Sequence, residues 1–236
     1  MIRLENVVKY YSRRGETVTA FKCEQLRIEP GEYVAIVGPS GSGKTTMLSL
    51  LGGMLSPSAG KVWLDDTSIY DLPAADRSAL RSQRMGFVFQ TFNLVPYLTA
   101  LQNVQIPLCL LGQSAADQER RAAELLGRFG LGDRLHHRPS ELSVGQQQRV
   151  ALARTLVNDP RIILADEPTG NLDPASREVV LDAFDAAHRE GRTIVMVTHD
   201  PVAASRASRS LTLREGELSA ADGEQEANES PQRLSA

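Results

Sequence analysis

The sequence predicts an α/β fold with a mostly parallel sheet, and three observations carry that prediction. Unbroken apolar runs recur at YVAIVG (33–38), IILAD (162–166) and TIVMVTH (193–199), the pattern of strands covered on both faces. Helical stretches stand between these runs, as parallel strands require. Near the N-terminus the pattern differs, since residues 2–8 and 17–28 alternate apolar and polar side chains like half-buried antiparallel strands.

In chain order, the two alternating segments form an N-terminal antiparallel layer, separated by a turn carrying Ser12, Arg13, Arg14 and Gly15. After Pro30-Gly31 comes the first buried strand, then a glycine-rich turn, then TTMLSLLGGM, which reads as a helix. Met85 to Ala116 is a run of 32 residues without a charge, but Gln90, Asn93, Pro96, Gln102, Asn103 and Pro107 interrupt it as a membrane helix. The following AADQERRAAELLGRFGL (115–131) is amphipathic, so a helical subdomain at about 91–158 is expected as an insertion in the core. One domain over 1–217 follows, with 218–236, polar and without periodicity, expected to be a flexible tail.

Composition narrows the function classes. With 42% hydrophobic and 23% charged residues the chain is globular and soluble, and a net charge of -3 gives no basic footprint for nucleic acid. Cys23 and Cys109 stand far apart with no paired spacing, which excludes a zinc site of cysteine pairs and a disulfide framework and fits a reducing compartment. No signal peptide or membrane span is expected.

The strongest motif is Gly38-Pro39-Ser40-Gly41-Ser42-Gly43-Lys44-Thr45, matching G-x-x-x-x-G-K-[ST] between a buried strand and a helix. Glycines let successive backbone N–H groups close around phosphate oxygens at a helix N-terminus. Lys44 then neutralises β and γ charges, Thr45 offers a hydroxyl to Mg²⁺, and Thr46 follows in the same binding turn. The expected core is that of a P-loop NTPase. Such a site needs a carboxylate for the metal, and Asp166 ends a buried strand where it can complete that set. Glu167, next in sequence, is placed to accept a proton from an attacking water. His199 ends another strand in the same direction, so a parallel sheet brings it to the same edge, near the γ-phosphate or the water. Ser143 is a natural N-cap for the helix QQQRVALARTLV, whose N-terminal dipole end favours an anion.

Taken together, Tyr11, the loop at 38–45, Gln90, LSVGQ at 142–146, ILADEPTGNLD ending in Asp173, and His199 resemble the nucleotide-binding domain of ABC transporters over about residues 2–215. The resemblance implies an ATPase using ATP and Mg²⁺. It implies that Tyr11 (or Tyr10) stacks on adenine, that Gln90 senses magnesium and the attacking water, and that Asp173 lies in a loop between two subunits. Ser143, Gly145 and Gln146 would embrace the γ-phosphate of ATP bound to the other subunit. The expected partners are a second ATP-binding subunit, with a homodimer expected, and a separately encoded integral-membrane permease, placing the chain on the cytoplasmic face of the membrane. The run GFVFQTFNLVPYLTALQNVQIPL is similar to the subgroup that powers lipoprotein release and macrolide or peptide export, and Phe92, Leu94, Val95 and Tyr97 are candidates for docking the permease. The alternative is an ABC-type ATPase or scaffold not coupled to transport. The family pattern is LSGGQ, so Val144 is a departure, one that costs backbone strain if that position needs positive φ.

Overall fold

The computed structural model describes residues 1–13, 16–170 and 172–220. Its elements run β1 (Ile2–Arg13), β2 (Glu16–Ile28), β3 (Tyr33–Val37), α1 (Lys44–Leu51), β4 (Ala59–Leu64), β5 (Thr67–Ser68), α2 (Ala74–Arg84) and β6 (Met85–Phe89). They continue with α3 (Ala100–Leu110), α4 (Ala115–Arg128), α5 (Val144–Leu156), β7 (Ile162–Asp166), α6 (Pro174–Arg189), β8 (Thr193–Thr198), α7 (Pro201–Ala204), β9 (Arg209–Arg214) and β10 (Glu217–Ala220). All ten strands join one sheet in the order β5-β4-β1-β2-β10-β9-β3-β8-β7-β6.

The strands expected from apolar runs form the parallel half. β3 lies between β8 and β9, β7 lies between β8 and β6, and each pairing is parallel. Phe89 pairs with Asp166, Asp166 with Val197, and Val197 with Ile36, so the strands' C-terminal ends are level. Residues leaving these strands, Gln90, Glu167, His199 and Gly38, therefore emerge at one edge, where open α/β sheets bind ligands.

The antiparallel layer is also present, but as a continuation of that sheet. β1 pairs antiparallel with β2 and β4, while β2 meets β10 through the single pair Lys22 and Glu217. Both hairpin strands run further toward the turn than the alternation indicated, so Tyr10 and Tyr11 lie within β1; Arg14 and Gly15 fall outside the described residues. The first five residues of the charge-free run form β6 at the sheet's edge. β10 carries the fold to Ala220, three residues past the expected end of the domain at 217, because Leu218 pairs with Leu213 on β9. The rest of the expected tail, 221–236, lies outside the described residues.

Three apolar cores hold the layers. Met47, Leu50 and Leu51 of α1 pack with Leu4, Phe21 and Val62 of the antiparallel strands. Val180, Leu181 and Phe184 of α6 cover Ile163, Ile194 and Met196 on the other face of the sheet. The third core joins α3, α4 and α5 through Val104, Leu108, Leu126 and Val150. The α4 helix follows the amphipathic reading, with Ser114 as N-cap accepting from the Asp117 N–H. No helix among the described residues is long and apolar enough to cross a membrane.

Candidate functional site

The glycine-rich loop turns back on itself between β3 and α1, and two of its glycines leave no room for a side chain. A Cβ on Gly38 would lie 2.2 Å from the Leu213 carbonyl oxygen, and one on Gly43 would lie 2.2 Å from the Ala20 carbonyl oxygen. Gly43 also has φ of 103°, a region L residues rarely adopt. The loop thus lets α1 start at Lys44 with its free N–H groups aimed across the sheet edge. Lys44 is buried, and its ammonium donates to the carbonyls of Gly38 at 2.7 Å and Pro39 at 3.0 Å.

Opposite the loop, the strand ends supply two carboxylates. Thr45 Oγ1 donates to Asp166 Oδ2 at 2.9 Å. Burial pushes the Asp166 carboxyl up from its ordinary value; the Thr45 hydrogen bond opposes this and the Glu167 charge adds to it. Glu167 sits at φ of 46°, a left-handed conformation that a non-glycine residue adopts only when its surroundings enforce it. Here they do, since its N–H donates to Val197 O at 2.9 Å and its side chain is fixed at both oxygens. His199 Nδ1 lies 2.9 Å from Glu167 Oε2, which also accepts from the His199 backbone N–H at 3.2 Å. Glu167 Oε1 is 3.7 Å from the Lys44 ammonium. With a proton on Nδ1 this contact is a hydrogen bond that holds the Glu167 carboxylate against an exposed imidazole.

These groups border a cleft of about 590 Å³ that also contains Ser40, Gly41, Gly43, Thr46 and Gln90. Gln90 Nε2 lies where a Cβ on Gly170 would approach to 3.2 Å, so Gly170 gives it space. The far wall is made by Val18, Thr19, Ala20, Glu215 and Gly216, which the sequence reading missed. The first three contribute strand edge rather than reactive groups, and no motif marks them. Glu215-Gly216 was detectable as the left-handed pair of a tight hairpin turn, with φ of 50° and 81°. Tyr10 and Tyr11 do not border the cleft; each is half-exposed, and they pair with Thr19 and Val18, which do.

The remaining expected residues stand apart from this cleft. Ser143 caps α5, accepting from the Gln146 N–H at 3.3 Å while Gln146 Oε1 accepts from the Ser143 N–H at 2.9 Å. Gly145 is buried against α6, where a Cβ would meet Ser176 Oγ at 2.2 Å. Asp173 is the exposed N-cap of α6, its Oδ1 accepting from the Ala175 and Ser176 N–H groups; the Ser176 side chain first, and these N–H groups after it, hold its carboxyl below the usual range. Val144 is the first residue of α5 with helical backbone and is 50% exposed, so the departure from LSGGQ carries no positive-φ strain. Val144→Gly is expected to leave steady-state ATPase within about threefold of the parent and to lower stability by roughly 0.5 kcal/mol in denaturant titration. A large loss of turnover would make the valine a functional adaptation.

A second cleft of about 590 Å³ lies between α4 and α6, floored by Leu125, Phe129 and Ala183 and rimmed by Arg128, Glu190 and Arg192. It has apolar area but no phosphate loop, so the chemistry belongs to the first. Among the described residues no three His, Cys, Asp or Glu side chains converge on a metal position. The oxygens of Thr45 and Asp166 fit Mg²⁺ instead, which takes one or two protein oxygens and fills the rest with phosphate and water.

The comparisons with known proteins agree with this geometry. The family model described as ABC transporter matches residues 22–170. The chain is 46% identical over 218 residues to the ABC transporter ATP-binding protein YvrO of Bacillus subtilis (strain 168), covering 92% of this chain and 95% of that one. It is 49% identical to the macrolide export ATP-binding/permease protein MacB of Bartonella quintana (strain Toulouse), covering 91% of this chain but a third (33%) of that protein. Among solved structures, the dimeric post-hydrolysis state of the ATP-binding cassette MJ0796 bound to ADP and Pi superposes with a TM-score of 0.87 at 42% identity, over 92% of this chain and 96% of that one.

Proposed function

Because this chain belongs to the ABC transporter family and is an ATP-hydrolysing cassette of the kind that works as a dimer, we propose that it is the separately encoded motor subunit of a membrane exporter. The observation that carries the reading is the convergence of Lys44, Thr45, Asp166, Glu167 and His199 on the edge that holds the phosphate loop. In this reading Lys44 exchanges the Gly38 and Pro39 carbonyls for β- and γ-phosphate oxygens, and the loop N–H groups from Gly38 to Thr46 cradle the rest. Mg²⁺, held through Thr45 and Asp166 and sensed by Gln90, supplies charge neutralisation at the phosphates. Glu167 takes the proton of the attacking water, and His199 keeps its carboxylate oriented. Tyr11, or Tyr10, flanks the Val18 and Thr19 end of the cleft as an adenine platform.

Ser143, Gly145 and Gln146 lie outside the cleft of their own chain, which supports a composite site completed by a second copy. In the dimer, Ser143, Gly145 and Gln146 of the partner subunit face the γ-phosphate, and Asp173 lies in the loop between subunits. Among the expected docking residues, Phe92 and Leu94 pack onto the apolar cores, whereas Tyr97 is 76% exposed; Leu110 on α3, outside that expected set, is 74% exposed. Tyr97 and Leu110 are thus the apolar groups offered to a permease. The MacB relative carries a cassette and a permease in one name, which supports coupling to a permease of the export type, and the 95% coverage of YvrO, named as an ATP-binding protein, supports a permease on another chain. The location that follows is the cytoplasmic face of a membrane. Fractionation tests it: membrane recovery that depends on a co-expressed permease supports the reading, and recovery with ribosomes or nucleoid overturns it.

A charged Asp166 is disfavoured by its burial, so at neutral pH the ionised carboxylate weakens the fold, and the penalty vanishes as pH falls and it protonates. Asp166→Asn keeps an acceptor for Thr45 and is expected to raise the melting temperature of the nucleotide-free protein while lowering Mg²⁺-dependent turnover by about 100-fold or more. Retained turnover would remove Asp166 from the metal role, and a lower melting temperature would show that its buried charge carries no penalty on the fold.

A further inference from the structure

We propose that helix α5 holds Gln90 in its working position through Arg154, making Arg154 a positioning residue for hydrolysis. This rests on the reading of Gln90 as the contact to metal and water. The Arg154 guanidinium forks onto two consecutive carbonyls, with Nη1 donating to Asn93 O and Nη2 to Phe92 O, both at 2.6 Å. Those carbonyls belong to Phe92 and Asn93, at φ of 55° and 49°. Two left-handed non-glycine residues in succession persist only where neighbours enforce them, and a planar fork of two donors is suited to enforce such a turn.

Burial keeps the Arg154 guanidinium below its usual pKa, and among the described residues no carboxylate pairs with it, so its charge is committed to these carbonyls. The same helix turn grips the chain before Gln90 as well, since Thr155 Oγ1 donates to Phe87 O at 2.6 Å. Gln90 is thereby bracketed by two anchors from α5, one three residues before it and the other two and three residues after it. Further up the same helix, Gln148 Nε2 donates to Pro168 O at 2.7 Å, immediately past Glu167. One rod of about 15 Å from Val144 to Arg154 therefore ties the capped end of α5 to both reactive loops.

The test uses the full chain with Arg154→Lys, which keeps the charge but cannot fork onto two carbonyls. ATP affinity is measured with a fluorescent ATP analogue in chelator, and turnover is titrated with Mg²⁺. The expected result is metal-free affinity within about twofold of the parent, kcat lowered by about 10-fold or more, and half-maximal turnover at several-fold higher Mg²⁺. The double variant Gln90→Ala with Arg154→Lys should be no slower than Gln90→Ala alone, because residues acting as a unit are not additive. Asn93→Gly should partly restore Arg154→Lys, since glycine accepts the left-handed turn unaided. If Arg154→Lys does not fold, Thr155→Val carries the same test through the Phe87 anchor. Unchanged kcat and Mg²⁺ dependence, or losses that multiply in the double variant, overturn the inference. Parental turnover in Gln90→Ala overturns the reading of Gln90 and the inference with it.

Discussion

Glu167→Gln should bind Mg-ATP, turn it over about 10²- to 10⁴-fold more slowly than the parent, and sediment as a dimer only when Mg-ATP is present. The substitution keeps the side-chain shape, and one amide oxygen can still accept from His199 as Glu167 Oε2 now does at 2.9 Å. What disappears is the base and one negative charge 3.7 Å from Lys44, so the phosphate site becomes more favourable to a polyanion while the proton acceptor is lost. Nucleotide then stays bound long enough for two chains to close over it. An ATP-dependent dimer ties loop, carboxylate and α5 end into one composite site. A variant hydrolysing at the parental rate would remove Glu167 from the base role, and a persistent monomer with bound ATP would assign the alignment of the two subunits to the permease.

Gly43→Ala is expected to abolish detectable ATP binding in the micromolar range and to destabilise the fold by about 2 to 5 kcal/mol. Two independent effects act together. The residue sits at φ of 103°, and the added Cβ would fall 2.2 Å from a backbone oxygen of Ala20 rather than a movable side chain. Relief requires displacing either the first turn of α1 or β2, and both border the nucleotide cleft. Isothermal calorimetry with Mg-ATP and a urea melt read the two consequences separately, and near-parental values in both would show that the loop relaxes at little cost.

The phosphate loop, Asp166, Glu167 and His199 were legible because their chemistry demands particular side chains at fixed spacing and strand ends. The buried parallel strands were legible because coverage on both faces leaves unbroken apolar runs. Other parts left no such trace. Val18 to Ala20 and Gly216 serve the cleft by backbone position, meeting across nearly the whole chain through the pairing of β2 and β10. β10 is four residues long with Glu217 and Ser219 exposed, too short to establish a period before the polar segment beyond it. Arg154 reads as an ordinary charged helix residue, and only the fold shows that its guanidinium faces inward onto a strained turn. Val144 raised an expectation of strain that its helical backbone does not carry.

The sheet is continuous, yet its antiparallel and parallel halves are joined between β2 and β10 by the single pair Lys22 and Glu217 and the bond from Lys22 N–H to Gly216 O at 2.7 Å. The backbone seam is narrow, and the two halves are held together chiefly by the apolar core beneath it, where Leu4 and Phe21 share one cluster with Ile36, Leu164 and Val197. The cleft is built over that seam, with Ala20 and Gly216 on one side and the phosphate loop on the other. A ligand seated there adds its linkage free energy, about 2.7 kcal/mol at a hundredfold excess over Kd, at the place where backbone pairing between the halves is thinnest. Nucleotide is thus a structural member of this fold as well as its substrate, bridging the two halves of the sheet where their own backbone pairing is limited to one residue pair.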